Sequence, residues 1–156
     1  MRLLIWVGAV TLLLDQASKL AVLSWLRLDT RLAIDVLPPF LNLRMAWNYG
    51  VNFGLFSGQG DAVRWTLIAV ALLISAWVIW WMRREPRAMA HFSAGLLVGG
   101  ALGNVIDRLI YGAVADFINM SCCGIDNRFS FNVADIAIFL GAVGLILFTG
   151  SRKNTP

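Results

Sequence analysis

Charge is scarce in this chain: of 156 residues only 14% are Asp, Glu, Lys or Arg, while 59% are hydrophobic. With a mean hydropathy of +0.73, that balance excludes an ordinary soluble domain and points to a membrane protein. Histidine occurs once, as His91, and there is no HExxH, GxSxG or Cys/His arrangement, so the usual zinc, serine and thiol hydrolase chemistries lack their parts. No metal or other cofactor is expected. The cysteines, Cys122 and Cys123, are adjacent, which suits neither an ordinary disulfide nor a CxxC metal site; they read as small loop residues. Basic residues outnumber acidic ones, but the arginines are spread through loops and form no stripe, so nucleic acid is set aside as a partner. No internal repeat or low-complexity segment stands out.

What the chain has instead is apolar runs of membrane-spanning length. Leu3 to Leu14 behind Arg2 superficially match a secretory signal peptide with cleavage near Ala17. The apolar pattern resumes after Lys19 and continues to Leu26, so residues 3–26 read as a retained spanning helix. Further runs cover 65–82, 92–111 and 133–149. The fold class expected is mainly α: one integral membrane domain over 1–156, with four transmembrane helices and a small β-rich subdomain in the first outer loop. Arg2, the Arg83, Arg84 and Arg87 loop and the tail with Arg152 and Lys153 fall on one side of such a bundle, and the positive-inside rule makes that side, with both termini, cytoplasmic.

The outer side then holds loops over 27–64 and 112–132. In the first, Leu41, Leu43, Met45, Trp47 and Tyr49 alternate with Asn42, Arg44, Ala46 and Asn48, the period of a strand with one apolar face. Val51, Phe53 and Leu55 repeat the alternation past Gly50, suggesting a hairpin or curved sheet. It lies on the lipid surface, covers a substrate groove or merely packs on the helices. Gly95, Gly99, Gly100 and Gly103 make a small-residue strip in the third run, suited to close helix packing.

Polar groups concentrate at the edges of the apolar runs: Asn104, Asp107, Arg108, Asp116, Asn132 and Asp135. Near hydrocarbon such a cluster needs partners, water or a task. Asp15 and Lys19, at i and i+4, either pair with each other or let Asp15 orient the cluster. Asp107 and Arg108 read as a structural ion pair tying the third helix to the loop. Asp116 follows a break at Gly112 and can fold back toward Asp135. Two close carboxylates cannot both ionise easily, so one holds a proton while the other accepts one from water, which is machinery for peptide hydrolysis. A different class, a small proton-coupled transporter or channel relaying through Asp15, Asp107 and Asp135, requires carboxylates spread across bilayer depth.

The residues DQASK at 15–19, NYGVNFG at 48–54, GNVIDRL at 103–109, VADFI at 114–118 and FNVAD at 131–135 resemble, in order and spacing, the lipoprotein signal peptidases (signal peptidase II), bacterial intramembrane aspartic proteases. The resemblance implies a catalytic dyad of Asp116 and Asp135. These activate water against the bond before a diacylglyceryl-modified cysteine in a prolipoprotein. It implies supporting or substrate-binding roles for Asp15, Lys19, Asn48, Gly50, Asn104, Asp107, Arg108, Asn132 and Ala134. It further implies a place in the bacterial inner membrane with the active site near the periplasmic face, contact with membrane lipids, a monomer, and globomycin-like cyclic peptides as inhibitors. Asn52 and Ile136 depart from the expected pattern, and Cys122 and Cys123 enlarge the loop between the two aspartates.

Overall fold

The computed structural model describes residues 1–50, 60–122 and 127–149. Four helices carry most of the chain: α1 (Arg2–Leu20), continued by a π-helical turn Ala21–Trp25, α3 (Gly60–Met82), α4 (Ala88–Tyr111) and α5 (Val133–Thr149). A short α2 (Leu28–Arg31) and three strands, β1 (Ala33–Leu37), β2 (Leu41–Asn48) and β3 (Val114–Asn119), make up the remaining elements among the described residues. Among the described residues three helices, Arg2–Trp25, Asp61–Met82 and Ala88–Tyr111, are long and apolar enough to cross a membrane; Val133–Thr149 is a shorter apolar helix of 17 residues.

α4 is central and packs against α1, α3 and α5. Its glycines make this possible. A Cβ on Gly99 would stand 2.5 Å from the Gly8 carbonyl oxygen, one on Gly95 2.7 Å from Val7 Cβ, and one on Gly100 2.6 Å from the Ala134 carbonyl oxygen. Gly95 and Gly99 therefore seat α1, and Gly100 seats α5. In lipid, where apolar side chains gain little by leaving one apolar medium for another, such close backbone approach supplies the packing. The outward faces are apolar too: Ile5, Trp6 and Leu13 on α1, Leu73 and Trp77 on α3, and Phe139, Ile146 and Leu147 on α5 are exposed. A water-soluble protein would not display so much contiguous apolar surface.

At the other end of the bundle the strands form an antiparallel sheet in the order β1-β2-β3. The strand expected near Leu41 is β2, and its apolar side chains Leu43 and Met45 pack on Val22, Leu28 and Phe117. Among the described residues it has two partners that the sequence reading did not name. β1 precedes it, pairing Ile34 with Leu43, and β3 comes from the second loop, pairing Asp116 with Ala46. The continuation through Val51, Phe53 and Leu55 lies outside the described residues, as do Asn52, Cys123 and the basic tail. Gly112 ends α4 with φ +79°, donating its N–H to the Arg108 carbonyl, and that left-handed residue turns the chain directly into β3.

Candidate active site

Asp15 and Lys19 lie one turn apart on α1, and their side chains meet: Lys19 Nζ is 2.7 Å from Asp15 Oδ2. The same ammonium is 2.7 Å from Asp107 Oδ2 and donates to Asn104 Oδ1 at 3.2 Å, so it links α1 to α4. Lys19, Asp15 and Asp107 are all buried. One cation between two carboxylates, with further donors around them, meets the condition under which buried charge is tolerated. The expected pair of Asp107 with Arg108 does not form. Neighbouring residues on a helix point about 100° apart, so Asp107 turns to Lys19 while Arg108 donates to the Asn104 carbonyl at 3.2 Å.

Asp15 also reaches the start of α5, where its Oδ1 accepts the Ala134 N–H at 3.0 Å. Ala134 thus serves through its backbone and its small size, which fits it against Gly100. The next N–H of α5, that of Asp135, donates to Asn132 Oδ1 at 2.9 Å, and Asp135 Oδ2 accepts the Asn132 N–H at 3.1 Å. This reciprocal capping box satisfies donors that a helix start otherwise leaves bare. It also fixes the Asp135 side chain, whose Oδ1 accepts from Asn104 Nδ2 at 3.0 Å.

Asp116 arrives on β3. Its Oδ1 accepts from Asn132 Nδ2 at 2.6 Å and its Oδ2 from Asn48 Nδ2 at 3.0 Å. Asn48 is oriented in turn by Gly50, whose N–H donates to Asn48 Oδ1 at 2.8 Å. Gly50 has φ +90° and its absent side chain leaves room for Leu67, so both backbone freedom and space favour glycine there. Burial, with the Asp135 charge second, pushes the Asp116 carboxyl up to about 6, against the opposing effect of the Asn48 and Asn132 donors and Lys19. One residue, Asn132, therefore bonds both aspartates. A pocket of about 280 Å³ opens on Asp116 between Asn48, Trp47, Tyr49 and Phe129. Beside Asp135, an apolar groove of about 250 Å³ is lined by Phe131, Ile136, Phe139 and Leu140.

The structure thus brings Asp15, Lys19, Asn48, Gly50, Asn104, Asp107, Arg108, Asp116, Asn132, Ala134 and Asp135 into one linked set of contacts. Sequence reasoning passed over Gln16, whose Nε2 donates to Asp15 Oδ2 at 3.1 Å, Asp107 Oδ1 at 3.0 Å and the Gly103 carbonyl at 3.3 Å. Its only sequence signal was a polar amide inside an otherwise apolar run, next to Asp15. His91 stands apart, about 20 Å along α4 from Asn104. Its ring nitrogens face the Arg87 and Met82 carbonyls at 3.1 Å.

Comparison with known proteins gives a consistent result. Residues 7–150 match the family model described as signal peptidase (SPase) II. A lipoprotein signal peptidase of Methylobacterium sp. (strain 4-46) is 44% identical over 91% of this chain and 85% of its own length. One of Methylorubrum extorquens (strain PA1) is 47% identical over 88% of this chain and 79% of its own. A solved structure described as a bacterial membrane enzyme superposes with a TM-score of 0.78 at 25% identity, covering 98% of this chain and 93% of that one. With its apolar helices this is a multi-pass membrane protein, and the chain belongs to the signal peptidase II family.

Proposed function

We propose that this protein is a prolipoprotein signal peptidase in which Asp116 and Asp135 form the catalytic dyad. The observation that carries the reading is the Asn132 bridge, which bonds Asp116 through its side chain and Asp135 through its backbone while holding the start of α5. The family supports the reaction class, and the local geometry supports the residues.

In the mechanism that follows, the elevated titration of Asp116 makes it the proton holder. Its O–H hydrogen-bonds to the scissile carbonyl and passes its proton to that oxygen as water adds. The Asp135 carboxylate takes a proton from water, whose oxygen adds to the carbonyl carbon to give a tetrahedral diol. As the C–N bond breaks, the proton gained by Asp135 passes to the departing amine of the lipid-modified cysteine. The second hydroxyl of the diol returns a proton to the dyad, leaving a signal-peptide carboxyl group. Asn48, Asn104 and Asn132 keep the carboxyls in place, and the Lys19 set beneath them anchors three elements. The apolar groove beside Asp135 suits hydrocarbon rather than peptide.

α5 serves as the fourth span, its 17 residues rising about 26 Å, close to the hydrocarbon thickness of about 30 Å. The arginine-rich α3–α4 turn and both termini lie on the cytoplasmic side of the bacterial inner membrane, with the sheet and dyad near the outer face. An ion relay would need carboxylates spaced along a path. Here Asp15, Asp107 and Asp135 all converge on Lys19 or Asn104. The test is cleavage of a diacylglyceryl-modified prolipoprotein peptide by the purified protein in detergent, beside an unlipidated control. Cleavage of the lipidated peptide alone supports the reading, and cleavage of neither by folded protein overturns it.

A further inference from the structure

The polar face of β2 continues past the dyad. Ala46 and Asn48 line the pocket on Asp116, and two and four residues back from Ala46, Arg44 and Asn42 line a second pocket of about 490 Å³. Arg128 lines both, so the two pockets adjoin. Apart from Pro39, every described residue lining the second is Asn, Ser or Arg, so its lining carries amide, hydroxyl and guanidinium groups, in contrast to the wholly apolar groove beside Asp135. Asn42 there is only 7% exposed; its Nδ2 donates to the Pro39 carbonyl at 3.3 Å, which fixes the amide, and its Oδ1 has no hydrogen-bond partner among the described residues. Register gives the distance: Ala46 pairs with Asp116 and Asn42 with Asn119, four residues that span about 13 Å of strand. Four residues of an extended substrate cover the same length.

Resting on the peptidase reading, we propose that this trough binds the mature chain just beyond the cleaved bond, at the second to fifth residues after the modified cysteine, and favours acidic side chains there. Of a lipoprotein precursor's parts, only that segment is neither lipid nor apolar leader, and so only it fits a polar trough leading away from the dyad. The cationic groups decide the sign. Arg44 is partly neutralised by Asp35 at 2.5 Å, so Arg128 carries the larger share of the preference.

The test uses two lipidated peptides identical except at those four positions, one with Asp and Glu and one with Lys, cleaved by the full chain in nanodiscs of neutral lipid. The acidic peptide should have the higher kcat/KM by roughly three- to fivefold, the scale of a solvent-exposed charge pair. Arg128→Glu should invert that ratio and Arg128→Lys should keep it, whereas damage to folding lowers both rates alike. Equal rates with the wild type, or a ratio untouched by Arg128→Glu, overturns the proposal while leaving the peptidase reading standing. Repetition in anionic lipid covers the other source of negative charge: if Arg128→Glu changes the lipid dependence but not the peptide ratio, the arginine serves headgroups and the proposal falls. Cleavage of neither peptide by the wild type removes both readings together.

Discussion

Asn132 and Asp135 cap the start of α5 for each other, Asn132 Oδ1 taking the Asp135 N–H at 2.9 Å and Asp135 Oδ2 taking the Asn132 N–H at 3.1 Å. Because the cap uses Oδ1, the Asn132 Nδ2 remains for Asp116 at 2.6 Å. Asn132→Ala should therefore act twice. Loss of the cap costs about 1 kcal/mol, read as a lower melting temperature in detergent. Cleavage should fall by about two orders of magnitude, the scale of a small misplacement of reacting groups.

Lys19 gives a contrast between buried and exposed ion pairs. Lys19→Met leaves Asp15 and Asp107 facing each other without their cation, and breaking such a buried set costs about 3–5 kcal/mol. Asp35→Asn removes the pair with Arg44, whose side chains are 58% and 40% exposed, and should cost under about 1 kcal/mol. Thermal unfolding of the two variants side by side checks the difference.

Two glycines should fail for different reasons. Gly100→Ala drives a methyl against the Ala134 carbonyl oxygen, 2.6 Å away, and so displaces the residue beside Asp135; activity should drop more than stability. Gly112→Ala meets only an ordinary van der Waals contact, Arg64 Nη1 at 3.9 Å, but must hold φ +79°. Its cost should be about 1–2 kcal/mol of stability. Melting curves and cleavage rates together separate the two.

The raised Asp116 titration sets a pH dependence. A carboxyl lifted to about 6 favours the protonated folded state, so its contribution to stability is fully present below the ordinary carboxylate range and is lost as pH rises through about 6. In the proposed mechanism the singly protonated dyad is the active form, so kcat/KM should decline above about pH 6. Asn48 donates to Asp116 and favours its charged form; Asn48→Ala should shift that alkaline limb upward. A limb that stays in place or moves down contradicts this assignment.

The sequence was most legible where periodicity or chemistry was dense. Apolar runs marked the helices because a spanning segment has few other options, and alternation marked β2 because one of its faces packs on Val22 and Leu28. β3 was missed because it is buried almost throughout, leaving VADFIN without alternation, and its pairing with β2 joins residues about seventy positions apart. The Asp107–Arg108 pairing failed because adjacency in sequence was read as adjacency in space. Lys19 comes from another helix, and only the fold brings it there. Likewise the Ala134 N–H, which holds Asp15 in place, is a backbone donor whose use depends on tertiary placement, whereas the Gly50 N–H that orients Asn48 is a local contact two residues away.

The most direct measurement is the turnover of a diacylglyceryl-modified prolipoprotein peptide by Asp116→Asn and by Asp135→Asn, each checked for wild-type melting behaviour in detergent. Both variants should be folded and should lose several orders of magnitude in rate, with the double variant little worse than either, since the two carboxyls act as a unit. Substantial cleavage by either folded single variant would contradict the dyad.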